Sequence, residues 1–289
     1  MKKGLLITNG FMQSAKFTAL YDALISSAAA HGLTLVERTN TELMPLITKS
    51  TPYPGFGIFW DKDVRLGYAL TAGGMQLFNT ARAIELCDDK SLTHLMLMDK
   101  LPMPETMMVP FSFPGVGYLD FTFLDRAEDM IGYPMIIKEC FGSFGLQVYL
   151  ALNRQEAETI LTRIRGVPAL MQRFVSESRG CDIRVYVVGG KAVAAIRRES
   201  STGGFIANVA AGGTATPYTL SPEQEHIAIT AARLLELDFC GVDLLFGKHS
   251  PLLIEVNSNA HFAGISAATG VDVAGEIISH VLNKIKDKL

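Results

Sequence analysis

Two apolar segments late in the chain, 239–246 and 251–259, are joined by the turn Gly247-Lys248-His249-Ser250. Folded as an antiparallel hairpin centred near His249, they set Asp243 directly across from Glu255. Asn257 follows two residues on and shares that face, because strand side chains alternate. Opposed carboxylates repel: at ~4 Å and an effective dielectric of about 20 the cost is of order 4 kcal/mol. Like charges across a strand pair are disfavoured for that reason. A hard divalent cation bound through oxygen removes the conflict, and two carboxylates with an amide oxygen suit Mg²⁺. A solvated hairpin edge is the plainer alternative, but Leu244, Leu245, Leu253 and Ile254 mark the surroundings as buried. Such a cation points towards nucleotide phosphates.

At 289 residues the chain has room for about two domains, and 48% hydrophobic content supplies their cores. A net charge of −3 gives no electrostatic case for nucleic acid. Cys87, Cys140, Cys181 and Cys240 are scattered without a C-x-x-C pair, which argues against zinc or a disulfide framework. Lys2-Lys3 and Ala28-Ala29-Ala30 mimic a signal peptide, but Asn9, Gly10, Gln13, Lys16 and Asp22 interrupt its apolar run. The expectation is a soluble, cytoplasmic protein without a membrane partner.

Strands expected at 4–8, 33–37, 57–60 and 76–78, with helices at 18–31 and 64–70, suggest a small parallel α/β domain. Phe59-Trp60-Asp61-Lys62-Asp63 carries charges beside the only Trp; it reads as a strand cap at a subunit contact, with substrate binding in a cleft as the alternative. One helix is expected over 80–99, ended by Pro102 and Pro104. Strands at 135–139 and 146–150 flank Cys140-Phe141-Gly142-Ser143-Phe144-Gly145, and Asn153 with Glu156 forms a capping box. A strand at 169–175 precedes a hairpin, 182–188 and 192–198, turning on Gly189-Gly190. The stretch 199–219 reads as an active-site loop, Ser221-Pro222 opens a helix to about 237, and an amphipathic segment spans 273–288.

Lys138 precedes the loop holding Gly142 and Gly145, where backbone N–H groups can approach phosphate oxygens and lysine supplies a charge. A purely structural lysine before a glycine turn is the common alternative. No G-x-x-x-x-G-K-[ST] occurs, the dinucleotide fingerprint lacks its third glycine, and Phe141 spoils a G-x-S-x-G elbow around Ser143.

Taken in order, these features resemble the ATP-grasp superfamily, and within it the RimK-type ligases that add glutamate to a protein or small-molecule carboxylate. The likeness runs through Asp89-Lys90, Tyr133-Pro134-Met135-Ile136-Ile137-Lys138, Gly180-Cys181-Asp182-Ile183-Arg184 and Val193-Ala194-Ala195-Ile196-Arg197-Arg198. It continues in Phe205 to Asn208, Gly212-Gly213, Gly241-Val242-Asp243, Ile254-Glu255-Val256-Asn257 and Thr269 to Gly275, spanning about 80–285. The resemblance implies a mixed α/β fold, α+β in its catalytic part, behind a small N-terminal parallel α/β domain. It divides the chain into 1–86, 87–173 with the glycine loop, and 174–289 with the metal hairpin.

The family's roles then fall on residues of this chain. Lys90 and Lys138 bind ATP phosphates under a cover formed by Gly142, Ser143 and Gly145. Gln172, Arg173, Phe174 and Val175 receive adenine, Asp182 the ribose, and Asn208 lies near the phosphates. Arg198 stands beside the reacting carboxylate, with Arg184, Asn259 and His261 as further substrate contacts. Asp243, Glu255 and Asn257 hold one or two Mg²⁺ ions, with Mn²⁺ as a substitute. The implied activity joins a carboxylate to an amine through an acyl phosphate; homo-oligomerisation stays open. The chain departs from the family at Ile206-Ala207, where a basic residue precedes the asparagine, at Val209-Ala210-Ala211, which lacks an arginine, and at Arg173, where an acid is usual. Those losses weigh against glutamate as the added amino acid. They leave a nucleotide-binding regulatory protein on a retired ligase fold as the alternative, ahead of a nicotinamide-dependent oxidoreductase.

Overall fold

The parallel expectation for the first part of the chain holds. In the computed structural model, which describes residues 2–286 except 13, 50, 114, 143–144, 202 and 208–212, β1 (Lys2–Thr8), β2 (Leu33–Thr39), β3 (Phe56–Phe59) and β4 (Gln76–Phe78) run parallel in the order β2-β1-β3-β4. Helices α1 (Ala15–Ala30) and α2 (Val64–Ala72) provide the crossovers. All four β3 residues are buried, as in a parallel strand covered on both faces. Gly4 is required beside it: a Cβ there would lie 2.4 Å from the Phe56 ring.

The helix expected over 80–99 is two helices, α3 (Ala81–Asp88) and α4 (Lys90–Leu97). Apolar periodicity runs through the junction, but Asp89 is extended there (φ −92°, ψ 106°). Its carboxylate accepts from Ser91 N at 2.8 Å and caps α4, while Lys90 N–H donates to Cys140 O at 3.0 Å. A tertiary bond to the strand before the glycine loop thus replaces a turn of helix, and the cap satisfies the donors released by the break.

The middle of the chain forms an antiparallel sheet in the order β5-β8-β6-β7, from β5 (Thr106–Met108), β6 (Met135–Glu139), β7 (Val148–Ala151) and β8 (Ala169–Arg173). Helices α5 (Phe123–Met130) and α6 (Arg154–Ile164) cover its core. Asn153 caps α6 through Glu156 N at 3.0 Å; Glu156 accepts from Leu152 N–H rather than from the Asn153 backbone N–H, meeting Asn153 only through its side-chain amide at 3.3 Å, so the box closes one residue early.

The third sheet is also antiparallel, ordered β11-β10-β9-β12-β13: β9 (Cys181–Val188), β10 (Lys191–Glu199), β11 (Thr214–Pro217), β12 (Phe239–Phe246) and β13 (Pro251–Asn257). β11 lies in the stretch expected as loop and is held by pairing with β10. One face packs on α7 (Pro222–Leu234), the other on α8 (Ala263–Thr269) and α9 (Val273–Lys286). That second core also takes in Leu6, Leu24 and Ile58, so the parallel sheet and the third sheet share it.

Asn79 fastens the two together. Fully buried, it accepts from Asp238 N at 2.7 Å and Phe239 N at 3.3 Å, and donates to Phe239 O and Ser258 O, both at 2.9 Å. No single helix among the described residues is long and apolar enough to cross a membrane.

Candidate active site

The third sheet places charges in register. Arg198 on β10 lies opposite Asp182 on β9, and Asp243 on β12 lies between Arg184 on β9 and Glu255 on β13. Asp182 and Arg184, two apart on one strand, share a face. The side chains close as that register dictates. Arg198 grips Asp182 with contacts of 2.6 and 2.7 Å, and Arg184 donates to both oxygens of Asp243, with Nη2 to Oδ2 at 2.6 Å. Arg198 adds a contact to Asp243 Oδ2 at 3.0 Å. Burial works against charge on Asp243, but Arg184 and Arg198 hold its carboxyl below the usual carboxylate range. At Asp182 burial wins and pushes the carboxyl up against the pull of Arg198.

Lys138, the fourth residue of β6, is buried in the same region. Burial draws its ammonium down to about 8; Glu255 and Asp243 oppose that shift and Lys90 adds to it. Lys90 opens α4 and donates to Gly142 O at 3.1 Å while standing 3.7 Å from Glu255 Oε1. Gly142 has φ +135°, and a Cβ there would meet the Gln147 side chain at 2.4 Å, so the loop needs glycine at this point. Gly145 faces Ile206 from across the opening. Ser143 and Asn208 lie outside the described residues, as do 209–211.

On the opposite wall, Gln172 donates through Nε2 to Thr106 Oγ1 at 2.7 Å and to His94 Nε2 at 3.1 Å. His94 is therefore neutral, with its Nδ1–H on Lys90 O at 2.8 Å, and burial draws its pKa down to about 4. Gln172 Oε1 is buried and has no hydrogen-bond partner among the described residues. Arg173 turns to Glu105 at 2.7 Å, and Phe174 lies under the Arg179 guanidinium at 6.0 Å.

One cleft of about 550 Å³ is lined by Lys90, Lys138, Gly142, Gly145, Gln172 to Val175, Asp182, Arg184, Arg198, Asp243, Glu255 and Asn257. Every expected site residue that is described therefore meets the others. Two details differ from expectation. Asp182 and Arg198, assigned to ribose and to the reacting carboxylate, are bound to each other. Asp243, assigned to a cation, is held by two arginines.

The two carboxylates are the oxygen ligands a hard divalent ion would need here. Asp243 and Glu255 face each other across the hairpin; Asn257 shares their cleft, and because its amide nitrogen is the atom buried without a hydrogen-bond partner among the described residues, the amide would have to turn over to offer its oxygen to an ion. A β-bulge after Asp243 breaks the register immediately beyond the pair. No cluster of three His, Cys, Asp or Glu forms among the described residues, so an ion held here would need an oxygen beyond the two carboxylates.

The N-terminal wall was least legible in sequence. Trp60 is a core residue, stacked on Phe239 with ring centroids 5.4 Å apart, and Asp63 caps α2 through Leu66 N. Asp61 and Lys62 line the cleft with Asn9, Phe17 and Tyr21, and Lys62 pairs with Asp88 at 2.5 Å. Asn259 and His261 stand at the same end; the His261 ring packs on Phe17 at 4.6 Å, and burial draws it down to about 4. The charges beside a lone Trp were the available signal.

Residues 90–281 match the family described as RimK-like ATP-grasp domain. A protein of Marinomonas sp. (strain MWYL1), named probable alpha-L-glutamate ligase, is 38% identical over 212 residues, covering 72% of this chain and 67% of its own length. A RimK domain ATP-grasp protein of Sphaerobacter thermophilus superposes with a TM-score of 0.74 at 21% identity, over 97% of this chain and 99% of that one. The D-alanine–D-alanine ligase of Bacillus anthracis complexed with ATP superposes with a TM-score of 0.74 at 14% identity, over 100% and 99%. At those identities the two superpositions speak for fold alone.

Proposed function

Because the chain belongs to the RimK-like ATP-grasp family and is an ATP-dependent carboxylate–amine ligase, we propose that the cleft between the second and third sheets is its catalytic centre. The carrying observation is Lys90 Nζ, placed between the glycine-loop carbonyl of Gly142 and the carboxylate of Glu255. One side chain thereby links the phosphate cover to the metal hairpin.

In this reading Lys90 and Lys138 neutralise phosphate oxygens, with Gly142 and Gly145 lining the cleft beside them. Ser143 and Asn208 keep their family roles here. Gln172 offers Oε1 to the adenine amino group, with Arg173, Phe174 and Val175 along the base. Asp182 takes the ribose by sharing its carboxylate with Arg198. Asp243, Glu255 and Asn257 hold one or two Mg²⁺, Asp243 exchanging an arginine contact to do so; Mn²⁺ would suit the same oxygens. The ion's contribution is to offset charge on the transferring phosphoryl group.

A carboxylate and an amine do not condense at neutral pH because oxide is a poor leaving group. Transfer of the γ-phosphoryl to a carboxylate oxygen breaks the bond to ADP and forms an acyl phosphate. The amine then attacks the carbonyl carbon, and phosphate leaves with loss of one amine proton. This chemistry asks for positioning and charge, not a protein nucleophile. Arg184 and Arg198, which line the cleft, orient the acid by giving up a carboxylate contact.

The wall at Phe205, Ile206 and Ala207 carries no charge for a second carboxylate, which weighs against glutamate as the added group. In this reading the chain divides as 1–86, 87–173 and 174–289, and free thiols with ATP use speak for the cytoplasm. The test is ADP release in Mg²⁺ and ATP against pairs of acids and amines. Release only when both partners are present supports the reading; ATP binding with no acid-dependent release from any pair counts against it.

A further inference from the structure

The N-terminal wall of the cleft, which Lys16 and Lys62 also line, carries a buried carboxylate. Asp61 follows β3, is 4% exposed, and lines the cleft. Its Oδ1 accepts from Asn9 Nδ2 at 3.0 Å and Lys62 N at 2.7 Å. Its Oδ2 is buried with no hydrogen-bond partner, and no ion pair reaches the carboxylate among the described residues. A buried carboxylate oxygen left this way is costly unless a donor arrives with the ligand.

A second acceptor stands beside it. Asn259 Nδ2 donates to the Asp61 backbone carbonyl at 3.0 Å, which fixes the amide orientation, because a carbonyl needs a donor opposite it. Asn259 Oδ1 is then the acceptor left over, buried and also unpartnered among the described residues. The Asp61 charge is felt nearby: burial first, then Asp61 and Glu37, push the Tyr21 hydroxyl up to about 12. Two acceptors tied together by that Asn259–Asp61 bond, one anionic, with Phe17 and Tyr21 lining the same cleft, match a primary ammonium on an apolar body and not a carboxylate.

We propose that Asp61 and Asn259 form the subsite that binds a primary ammonium of the substrate. The inference rests on the ligase reading and deepens it. The ammonium belongs either to the acid, as an α-amino acid, or to the amine nucleophile; the recognition chemistry is the same.

Three probes separate these cases: L-phenylalanine, 2-phenylethylammonium and 3-phenylpropanoate, titrated calorimetrically with and without AMP-PNP and Mg²⁺. Both ammonium compounds should bind about tenfold or more tighter than 3-phenylpropanoate, the worth of a charged hydrogen-bond set. Phenylalanine binding well above 2-phenylethylammonium assigns the ammonium to the acid, and equal binding assigns it to the nucleophile. Asp61→Asn keeps the shape and removes the anion, and should abolish the preference while AMP-PNP affinity stays unchanged. Asn259→Leu, which leaves the charge in place, should weaken ammonium binding several-fold. Equal binding of all three probes, no binding of either ammonium compound, or a preference that survives Asp61→Asn overturns the inference. Loss of AMP-PNP binding in the unsubstituted protein strikes the ligase reading instead, since the ammonium preference is also read without nucleotide.

Discussion

The third sheet and the N-terminal parallel sheet both contribute to the cleft, in opposite ways. The third sheet presents Arg198, Asp182, Arg184, Asp243 and Glu255 from strand interiors, each placed by register and each already paired. The parallel sheet presents Asn9 and Asp61 from the ends of strands, and Asp61 has acceptor capacity left over. Register-borne groups form a rigid, self-compensated array suited to a constant reaction. Strand-end groups can change without disturbing a ladder, and so suit the recognition of one substrate among many.

The largest break in that comparison is expected from Glu255→Gln. The side chain is about a third exposed, so thermal unfolding should move little, while ADP release should fall at least about a hundredfold. A fully active variant would refute the metal assignment. Asn79→Ala tests the junction between the two regions. It strips partners from buried backbone groups of Asp238, Phe239 and Ser258 and should cost about 3 kcal/mol in denaturant unfolding. Substrate affinity should suffer more than nucleotide affinity, because only the former spans the joint.

Lys138 sharpens the electrostatic side. Its folded pKa lies near 8, below the ordinary value of about 10.4. Between those values the unfolded chain holds more protons than the folded one, so this residue makes stability rise with pH across that window. Phosphate binding needs the charged form, so nucleotide affinity should fall above pH 8, by up to about tenfold per pH unit. Lys138→Met should flatten both profiles in titration and unfolding measurements. The smallest effect is expected from Asp89→Ala, which removes the α4 cap for about 1 kcal/mol and loosens Lys90, read as a modest rise in the KM for ATP.

Much of this was legible beforehand. The facing of Asp243 and Glu255 follows from period-2 alternation around a short turn, while β13 ends at Asn257, two residues before the expected segment does. Lys138 on a strand before a glycine turn was readable for the same reason. The split at Asp89 was not, because local periodicity is unbroken there and only the Lys90–Cys140 bond reveals it. β5 and β11 are short edge strands whose existence depends on a partner strand. The Arg198–Asp182 pair was hidden too, although both residues were singled out, since residue-by-residue roles do not show which charges will meet.

From the order of residues alone came strand alternation, turn chemistry and the identity of the charges, because these depend on neighbours a few positions apart. Which arginine compensates which carboxylate, what Asn79 holds together, and where Asp61 meets Asn259 belong to tertiary structure. Each joins groups sixteen to nearly two hundred residues apart, and whether a buried charge is satisfied depends on what the whole fold brings within about 3 Å of it.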